Sequence, residues 1–177
     1  MNTNIIYLIG FMASGKSTVG PLLAEDLNLP FLDLDHEIEK REQKTIKEIF
    51  EKGGEQLFRK IETLTLRELA NDRKNAVIAC GGGTVLKEEN VEILKSTGIC
   101  VLLTVSPETV MKRVVDPSSR PLLRENNTPE RLNTLMNKRK TAYENAAHLS
   151  VCSDNRTPLR IVTEIKEILH QRKRTCP

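Results

Sequence analysis

The sequence predicts a single doubly wound α/β domain, and three observations carry that prediction. Short apolar runs recur along the 177 residues without strict polar alternation, as strands of a parallel sheet covered on both faces require. Helical patterns with legible N-terminal signals separate these runs, which is the strand–helix repetition of the α/β class. The first junction carries Gly10-Phe11-Met12-Ala13-Ser14-Gly15-Lys16-Ser17, of the form G-x-x-x-x-G-K-[ST]. That pattern holds phosphate when it lies between a strand and a helix.

Taken in order, Ile5-Ile6-Tyr7-Leu8-Ile9 reads as a buried strand, and residues 18–27 read as a helix with Val19, Leu22 and Leu23 at helical spacing. A second strand is expected at 31–33. From His36 to about Arg73 there are two helices where one would suffice, joined at Gly53-Gly54, with Thr45-Ile46-Lys47-Glu48 as a capping box. Further strands are expected at 76–80, 99–105 and 149–152. Ser106-Pro107, Thr128-Pro129 and Thr157-Pro158 each place proline at the first helical position after a capping hydroxyl; the second of these opens a helix over 129–146. The stretch from Val114 to Asn127 is polar, arginine-bearing and broken by Pro117 and Pro121, a composition that suits a lid or binding loop as well as a plain solvated loop. No repeat and no linker divides the chain. Residues 1–177 are expected as one domain, with a substrate-binding insertion at about 34–73 and a lid at about 112–126.

Composition excludes several function classes. A net charge of +3 is too small to imply nucleic-acid binding, and with no Trp, two Tyr and four Phe the chain lacks a stacking surface for single strands. Cys80, Cys100 and Cys152 lie in apolar strand-like runs and are expected as small buried hydrophobes. No C-x-x-C pair supports a zinc or redox motif. Met1-Asn2-Thr3-Asn4 lacks the basic start of a signal peptide, and no apolar run approaches the roughly 18 residues of a membrane span. The expectation is a cytoplasmic protein with no membrane and no nucleic-acid partner.

The glycine loop can curl so that its N–H groups converge on one anion. The helix N-terminus adds partial positive charge, Lys16 reaches the outer phosphates, and Ser17 can bind Mg²⁺. This is the pattern of a nucleoside triphosphate site. Many such proteins hold the metal with an Asp that ends an apolar strand, but strand 76–80 runs into Gly81-Gly82-Gly83 with no acid. The strand that does end in acids is Phe31-Leu32-Asp33-Leu34-Asp35. In an extended segment residues i and i+2 share a face, so Asp33 and Asp35 are both expected toward the ligand, one for the metal and one for the acceptor. The same D-x-D also reads as a turn and helix N-cap. Three glycines in a row offer N–H groups without bulk, which suits close approach of a hydroxyl-bearing substrate or a phosphate. Arg59, Arg120 and Arg139 stand where an anionic acceptor and a moving phosphoryl group would need a guanidinium, although charge alone does not single them out.

Six pieces in matching order and spacing do. They are Gly10 to Thr18, Leu32-Asp33-Leu34-Asp35, Gly54-Glu55-Gln56-Leu57-Phe58-Arg59, Gly81-Gly82-Gly83, Arg120-Pro121-Leu122-Leu123, and Arg139 with Tyr143 four residues on. In these the chain resembles the shikimate kinases over nearly its whole length. The resemblance implies a three-layer P-loop kinase fold, its five-stranded parallel sheet in the order 2-3-1-4-5. It also implies ATP-dependent phosphorylation of the 3-hydroxyl of shikimate, in aromatic amino acid biosynthesis, by a monomer whose partners are the small molecules ATP and shikimate. ATP phosphates are then implied at Ala13, Ser14, Gly15, Lys16, Ser17 and Thr18, with Mg²⁺ at Ser17 and Asp33 near the metal or its waters. Shikimate is implied at Asp35 through ring hydroxyls, at Arg59 and Arg139 through its carboxylate, and at Gly81, Gly82 and Gly83, chiefly Gly82. Arg120 becomes the lid arginine facing ATP, and Arg113 lies against the adenine with Arg156 and Pro158 opposite. Lys16, Asp35 and Arg120 carry the catalytic roles. The basic tail after His170 has no counterpart.

Two other readings remain beside this one. A small P-loop kinase for gluconate or a nucleoside monophosphate would share the ATP half. A non-catalytic module with the same fold would require a damaged motif, yet Lys16, Asp33, Asp35 and Arg120 are all present. A motor or nucleic-acid ATPase is disfavoured by the missing strand-end acid and the lack of a basic stripe.

Overall fold

The computed structural model describes residues 4–72, 75–114 and 128–175. Five strands, β1 (Asn4–Ile9), β2 (Phe31–Asp33), β3 (Asn75–Ala79), β4 (Gly98–Thr104) and β5 (Leu149–Cys152), form one sheet in the order β2-β3-β1-β4-β5. Every pairing is parallel, with Tyr7 opposite Ile78 on one side and Cys100 on the other. The order reverses at β1, so the crevice beyond the carboxyl ends of β1 and β3 is the place where such a sheet binds ligands. The helices are α1 (Lys16–Asp26), α2 (Leu34–Glu42), α3 (Ile46–Asp72), α4 (Glu88–Thr97), α5 (Pro107–Arg113), α6 (Pro129–Ala146) and α7 (Pro158–Thr175).

Alternate residues of the central strands feed two apolar layers. Ile5, Tyr7, Ile9, Ala76 and Ile78 face a layer completed by Leu34 and Ile38 of α2, Ile49, Phe58 and Leu66 of α3, Leu94 of α4, and Leu132 and Ala146 of α6. Ile6, Leu8, Val77, Val101 and Leu103 face Val19 and Leu23 of α1 and Ile161, Ile165 and Leu169 of α7. Each aliphatic side chain so buried stabilises the fold by about 1.5–3 kcal/mol relative to exposure. Burial on both faces explains why these strands lack polar alternation.

The cap signals close as expected. Thr45 Oγ1 accepts from Glu48 N at 3.3 Å while Glu48 Oε2 accepts from Thr45 N at 2.7 Å, a reciprocal capping box. Ser106 accepts from Thr109 N and Thr128 from Arg131 N. Thr157 Oγ1 accepts from Arg160 N at 3.4 Å.

Four expectations need correction. The insertion contains three helical stretches, not two: Gln43 closes α2 in a left-handed conformation (φ 52°) before Thr45 caps α3, and α3 is itself interrupted at Gly54 (φ 65°, ψ −167°). Only glycine adopts that second conformation at low cost, so Gly54, rather than the Gly53-Gly54 pair, makes the joint. Strand β2 stops at Asp33 and α2 begins at Leu34, so Asp35 belongs to a helix turn and the shared-face argument for an extended strand does not reach it. Helix α1 starts at Lys16 rather than residue 18. Cys152 is exposed, whereas Cys80 and Cys100 are buried. Strand β5 is a sheet edge on which Val151 points inward while Ser150 and Cys152 are exposed, so its apolar run is not covered on both sides.

Candidate functional site

The loop between β1 and α1 curls as its glycines allow. Gly10 and Gly15 have φ of 145° and 99°, and Ala13 takes the left-handed region at φ 59°. Gly15 is the N-cap of α1 and offers no side chain to the first turn, which holds no acidic residue. The orphan N–H groups and the positive dipole end of this helix therefore face the loop. Lys16 Nζ donates to the carbonyls of Gly10 (2.8 Å) and Phe11 (3.0 Å), which keeps the ammonium at the loop's mouth. Ser14 is buried beneath it, and Ser17 and Thr18 are exposed.

Asp33 does two things with one carboxylate. Its Oδ1 accepts from Asp35 N at 3.1 Å and so caps α2, while Oδ2 accepts from Ser17 Oγ at 3.1 Å. The turn and N-cap reading of the D-x-D segment therefore holds at Asp33. The cap orients the side chain, and the oriented side chain meets the phosphate-loop serine. Asp35, in the first turn of α2, reaches the opposite wall: its Oδ1 lies 2.9 Å from where a Cβ on Gly81 would stand.

Residues 81–83 leave the end of β3 and are encircled by three helices. A Cβ on Gly83 would stand 2.2 Å from Arg59 Nη2, so the guanidinium occupies space that only glycine at 83 leaves open. From α6, Arg139 Nη1 donates to the Gly82 carbonyl at 3.4 Å, and the Tyr143 hydroxyl donates to the same oxygen. Burial pushes the Tyr143 phenol up to about 12, so it remains a donor. Arg59 donates through Nη1 to Glu62 Oε2 at 2.8 Å and through Nη2 to Glu55 Oε1 at 3.2 Å, with its Cζ 5.1 Å above the Phe58 ring. Burial works to lower the Arg59 pKa, but the pairing with Glu62 and Glu55 outweighs it and holds the pKa above its ordinary value. The guanidinium stays charged.

On the far side of the loop, Arg113 Nη1 donates to the Ala13 carbonyl (3.0 Å) and the Ser153 hydroxyl (3.1 Å), and Nη2 to the Ser153 carbonyl (2.7 Å). Arg156 pairs with Glu164, and Pro158 opens α7. A cavity of about 630 Å³ joins these parts. It is lined by residues 12–19, Asp33, Asp35, Cys80, Gly81, Gly82, Arg113, Val114, Arg156, Pro158 and Ile161.

The structure thus brings the loop, both aspartates, two of the three glycines and the three residues assigned to adenine around one space. Arg59 and Arg139 stand behind the glycine turn. Arg59 instead lines a second hollow of about 490 Å³ with Lys60 and Lys87, its guanidinium paired with Glu55 and Glu62. Arg120 lies outside the described residues, as does most of the segment expected as a lid. Sequence reasoning missed Glu62, Thr84 and Ser153. Glu62 could have been found from its position three residues after Arg59 on a helix, where opposite charges meet. Ser153 carried no local signal.

The shikimate kinase family model matches residues 12–170. The chain is 41% identical over 160 residues to the shikimate kinase of a Sulfurihydrogenibium species, covering 90% of this chain and 94% of that one. It is 42% identical over 166 residues to that of Geobacter sulfurreducens, with 94% and 91% covered. Among solved structures, the shikimate kinase from Acinetobacter baumannii in complex with shikimate superposes with a TM-score of 0.91 at 39% identity, covering 96% of this chain and 94% of that one. The Aquifex aeolicus shikimate kinase gives 0.84 at 40% identity, with 96% and 98% covered. The sheet order, the loop that holds phosphate and the extent of these matches lead to one conclusion: the chain belongs to the shikimate kinase family.

Proposed function

We propose that this protein transfers the γ-phosphoryl group of ATP to the 3-hydroxyl of shikimate, yielding shikimate 3-phosphate and ADP. The observation that carries the reading is the continuity of one cavity from the phosphate loop to Asp35, Gly81 and Gly82. A donor and an acceptor bound there meet end to end.

In this reading the acceptor's carboxylate lies against Arg59 and Arg139, the residues whose guanidinium groups flank the glycine turn. Arg59 keeps its buried partner Glu62 and can exchange the exposed Glu55 for substrate, since Glu55 is 62% exposed and its pairing is a weak surface contact. Asp35 accepts a hydrogen bond from the attacking hydroxyl and takes its proton late in the transfer. The backbone of Gly82, its carbonyl held by Tyr143, fixes the ring. Lys16 swings from the loop carbonyls to the outer phosphates, and Arg120, which lies outside the described residues, is the residue assigned to charge on the γ-phosphoryl. Catalysis by positioning and charge neutralisation suits this inventory, because phosphoryl transfer asks the protein for little covalent chemistry.

Ser17 and Asp33 suit Mg²⁺, for a hydroxyl and a carboxylate 3.1 Å apart are hard oxygen donors of the kind this ion prefers. Two protein oxygens leave the remaining positions to phosphate and water, which is how such ions are commonly held beside nucleotides. Bound there, Mg²⁺ would supply charge neutralisation to the nucleotide's phosphates. Among the described residues no helix is long and apolar enough to cross a membrane, and we take the enzyme to act in the cytoplasm as a monomer.

The test is a coupled ADP-release assay with Mg²⁺ and ATP, offering shikimate, gluconate and nucleoside monophosphates in turn. Turnover with shikimate alone is expected. A preference for either of the other acceptors overturns the reading.

A further inference from the structure

A buried polar chain runs behind the acceptor side of the site. Asn90 Nδ2 of α4 donates to the Thr84 carbonyl at 2.9 Å. Thr84 Oγ1 donates to Glu62 Oε1 at 2.7 Å, and Glu62 Oε2 accepts from Arg59 Nη1 at 2.8 Å. Thr84, Glu62 and Asn90 are each 0% exposed. Thr84 Oγ1 also lies 3.3 Å from the place of a Cβ on Gly81, beside Asp35 Oδ1 at 2.9 Å and Glu62 Oε1 at 3.1 Å. The hydroxyl therefore sits directly beneath the turn that faces the acceptor.

The terminal torsion of a glutamate is soft and broad. Its carboxylate plane is set by the hydrogen bonds that its oxygens make, not by rotamer preference. Arg59 has a rival partner in the exposed Glu55, so its place against the turn depends on Glu62 presenting Oε2 in one orientation. Thr84 is well suited to impose that orientation. Its χ1 is stiff because it is β-branched, its backbone is held in a short 3₁₀ turn (Thr84–Leu86), and Asn90 pins its carbonyl.

We propose that Thr84 is a positioning residue for the acceptor: its hydroxyl fixes the Glu62 carboxylate, which in turn holds the Arg59 guanidinium where it meets the substrate's carboxylate. The inference rests on the reading of Arg59 given under the proposed function. Thr84 touches no substrate and acts through two neighbours.

The test compares Thr84→Val, Thr84→Ala and Thr84→Ser with the parent enzyme in steady-state kinetics, with melting curves alongside. Loss of the hydroxyl in the Val and Ala variants is expected to raise KM for shikimate about tenfold, the scale of one charge-assisted hydrogen bond. KM for ATP and kcat at saturating shikimate should stay within about twofold, a split that a merely structural role would not produce. Thr84→Ser should restore the parent KM. The Ala and Ser variants lack the same methyl and differ only in the hydroxyl, so they decide the question even if the Val variant folds poorly. In an Arg59→Ala background, Thr84→Ala should add nothing to KM. The proposal is overturned if the Ala and Ser variants have equal KM, if both substrates' KM and kcat fall off together, or if the double variant is additive. Should Arg59→Ala alone leave KM for shikimate unchanged, the acceptor reading itself fails, and that result stands apart from anything seen at Thr84.

Discussion

Replacing Gly83 by alanine adds one methyl group where the Arg59 guanidinium now lies. The added Cβ would stand 2.2 Å from Nη2, 2.7 Å from Cζ and 2.8 Å from Nη1, so the whole face of the group is in the way. Gly83 itself has φ −117° and ψ 0°, which alanine tolerates without strain. The backbone stays, and Arg59 must retreat by more than an ångström to reach ordinary contact. That displacement strains or breaks its 2.8 Å bond to Glu62, a carboxylate with no solvent exposure. Weakening one charge-assisted bond to a buried group costs about 1.5–3 kcal/mol, and the reduced freedom of the unfolded chain returns about 0.4–1 kcal/mol. The net loss of about 1–2 kcal/mol lowers Tm by a few degrees in a domain of this size. The effect on the acceptor should be larger, because a clamp moved by an ångström no longer aligns with a carboxylate. A rise in KM for shikimate of about tenfold or more is expected, with KM for ATP near the parent value. Calorimetric titration of shikimate and the coupled assay both read this out. An alanine variant that binds shikimate as tightly as the parent refutes the placement of Arg59 against the glycine turn.

Other outcomes follow from the same geometry. Asp35→Asn keeps the shape but removes the proton acceptor, so kcat should fall by about 10²–10⁴ while the fold and nucleotide binding persist; an active Asn variant removes Asp35 from the chemistry. Asp33→Ala deletes both the α2 cap and the partner of Ser17. It should therefore cost about 1 kcal/mol of stability in melting curves and raise the Mg²⁺ concentration needed for half-maximal rate; an unchanged metal dependence excludes Asp33 from the metal site. His148 Nδ1 accepts a hydrogen bond from Cys100 N at 2.9 Å, tying β5 to β4. Burial first, then the charges of Arg172 and Lys95, hold its pKa below the ordinary histidine value. A depressed pKa favours the neutral ring in the folded state, so its contribution is present above about pH 6.5 and is lost as pH falls through the folded pKa. Tm should fall on acidification through that window, and His148→Asn should flatten the dependence; equal slopes for both proteins refute the link.

Much of the site could be read from spacing alone. The glycine-rich loop is local: eight consecutive residues between a strand and a helix determine its conformation. The caps at Thr45, Ser106, Thr128 and Thr157 were legible for the same reason, since a hydroxyl and the N–H it accepts from lie three residues apart. Asp33 and Asp35 were recognised as a pair but through the wrong geometry. The chain turns from strand to helix between them, and one carboxylate caps the other's N–H. No periodicity argument over three residues separates those cases.

What the sequence by itself determined was the glycine loop between β1 and α1 and the order of the elements, because both arise from contacts between near neighbours and from burial patterns with fixed period. Where the arginines stand was decided by tertiary structure. Arg59 and Gly83 are 24 positions apart and Arg139 and Gly82 are 57 apart, and only the packing of α3 and α6 around the end of β3 puts the Arg59 guanidinium where a methyl on Gly83 would stand and brings Arg139 to the Gly82 carbonyl. The buried line from Asn90 through Thr84 and Glu62 to Arg59 has the same origin. Each of its members is an ordinary polar residue in the sequence, and desolvation by the assembled core is what forces them to bond to one another.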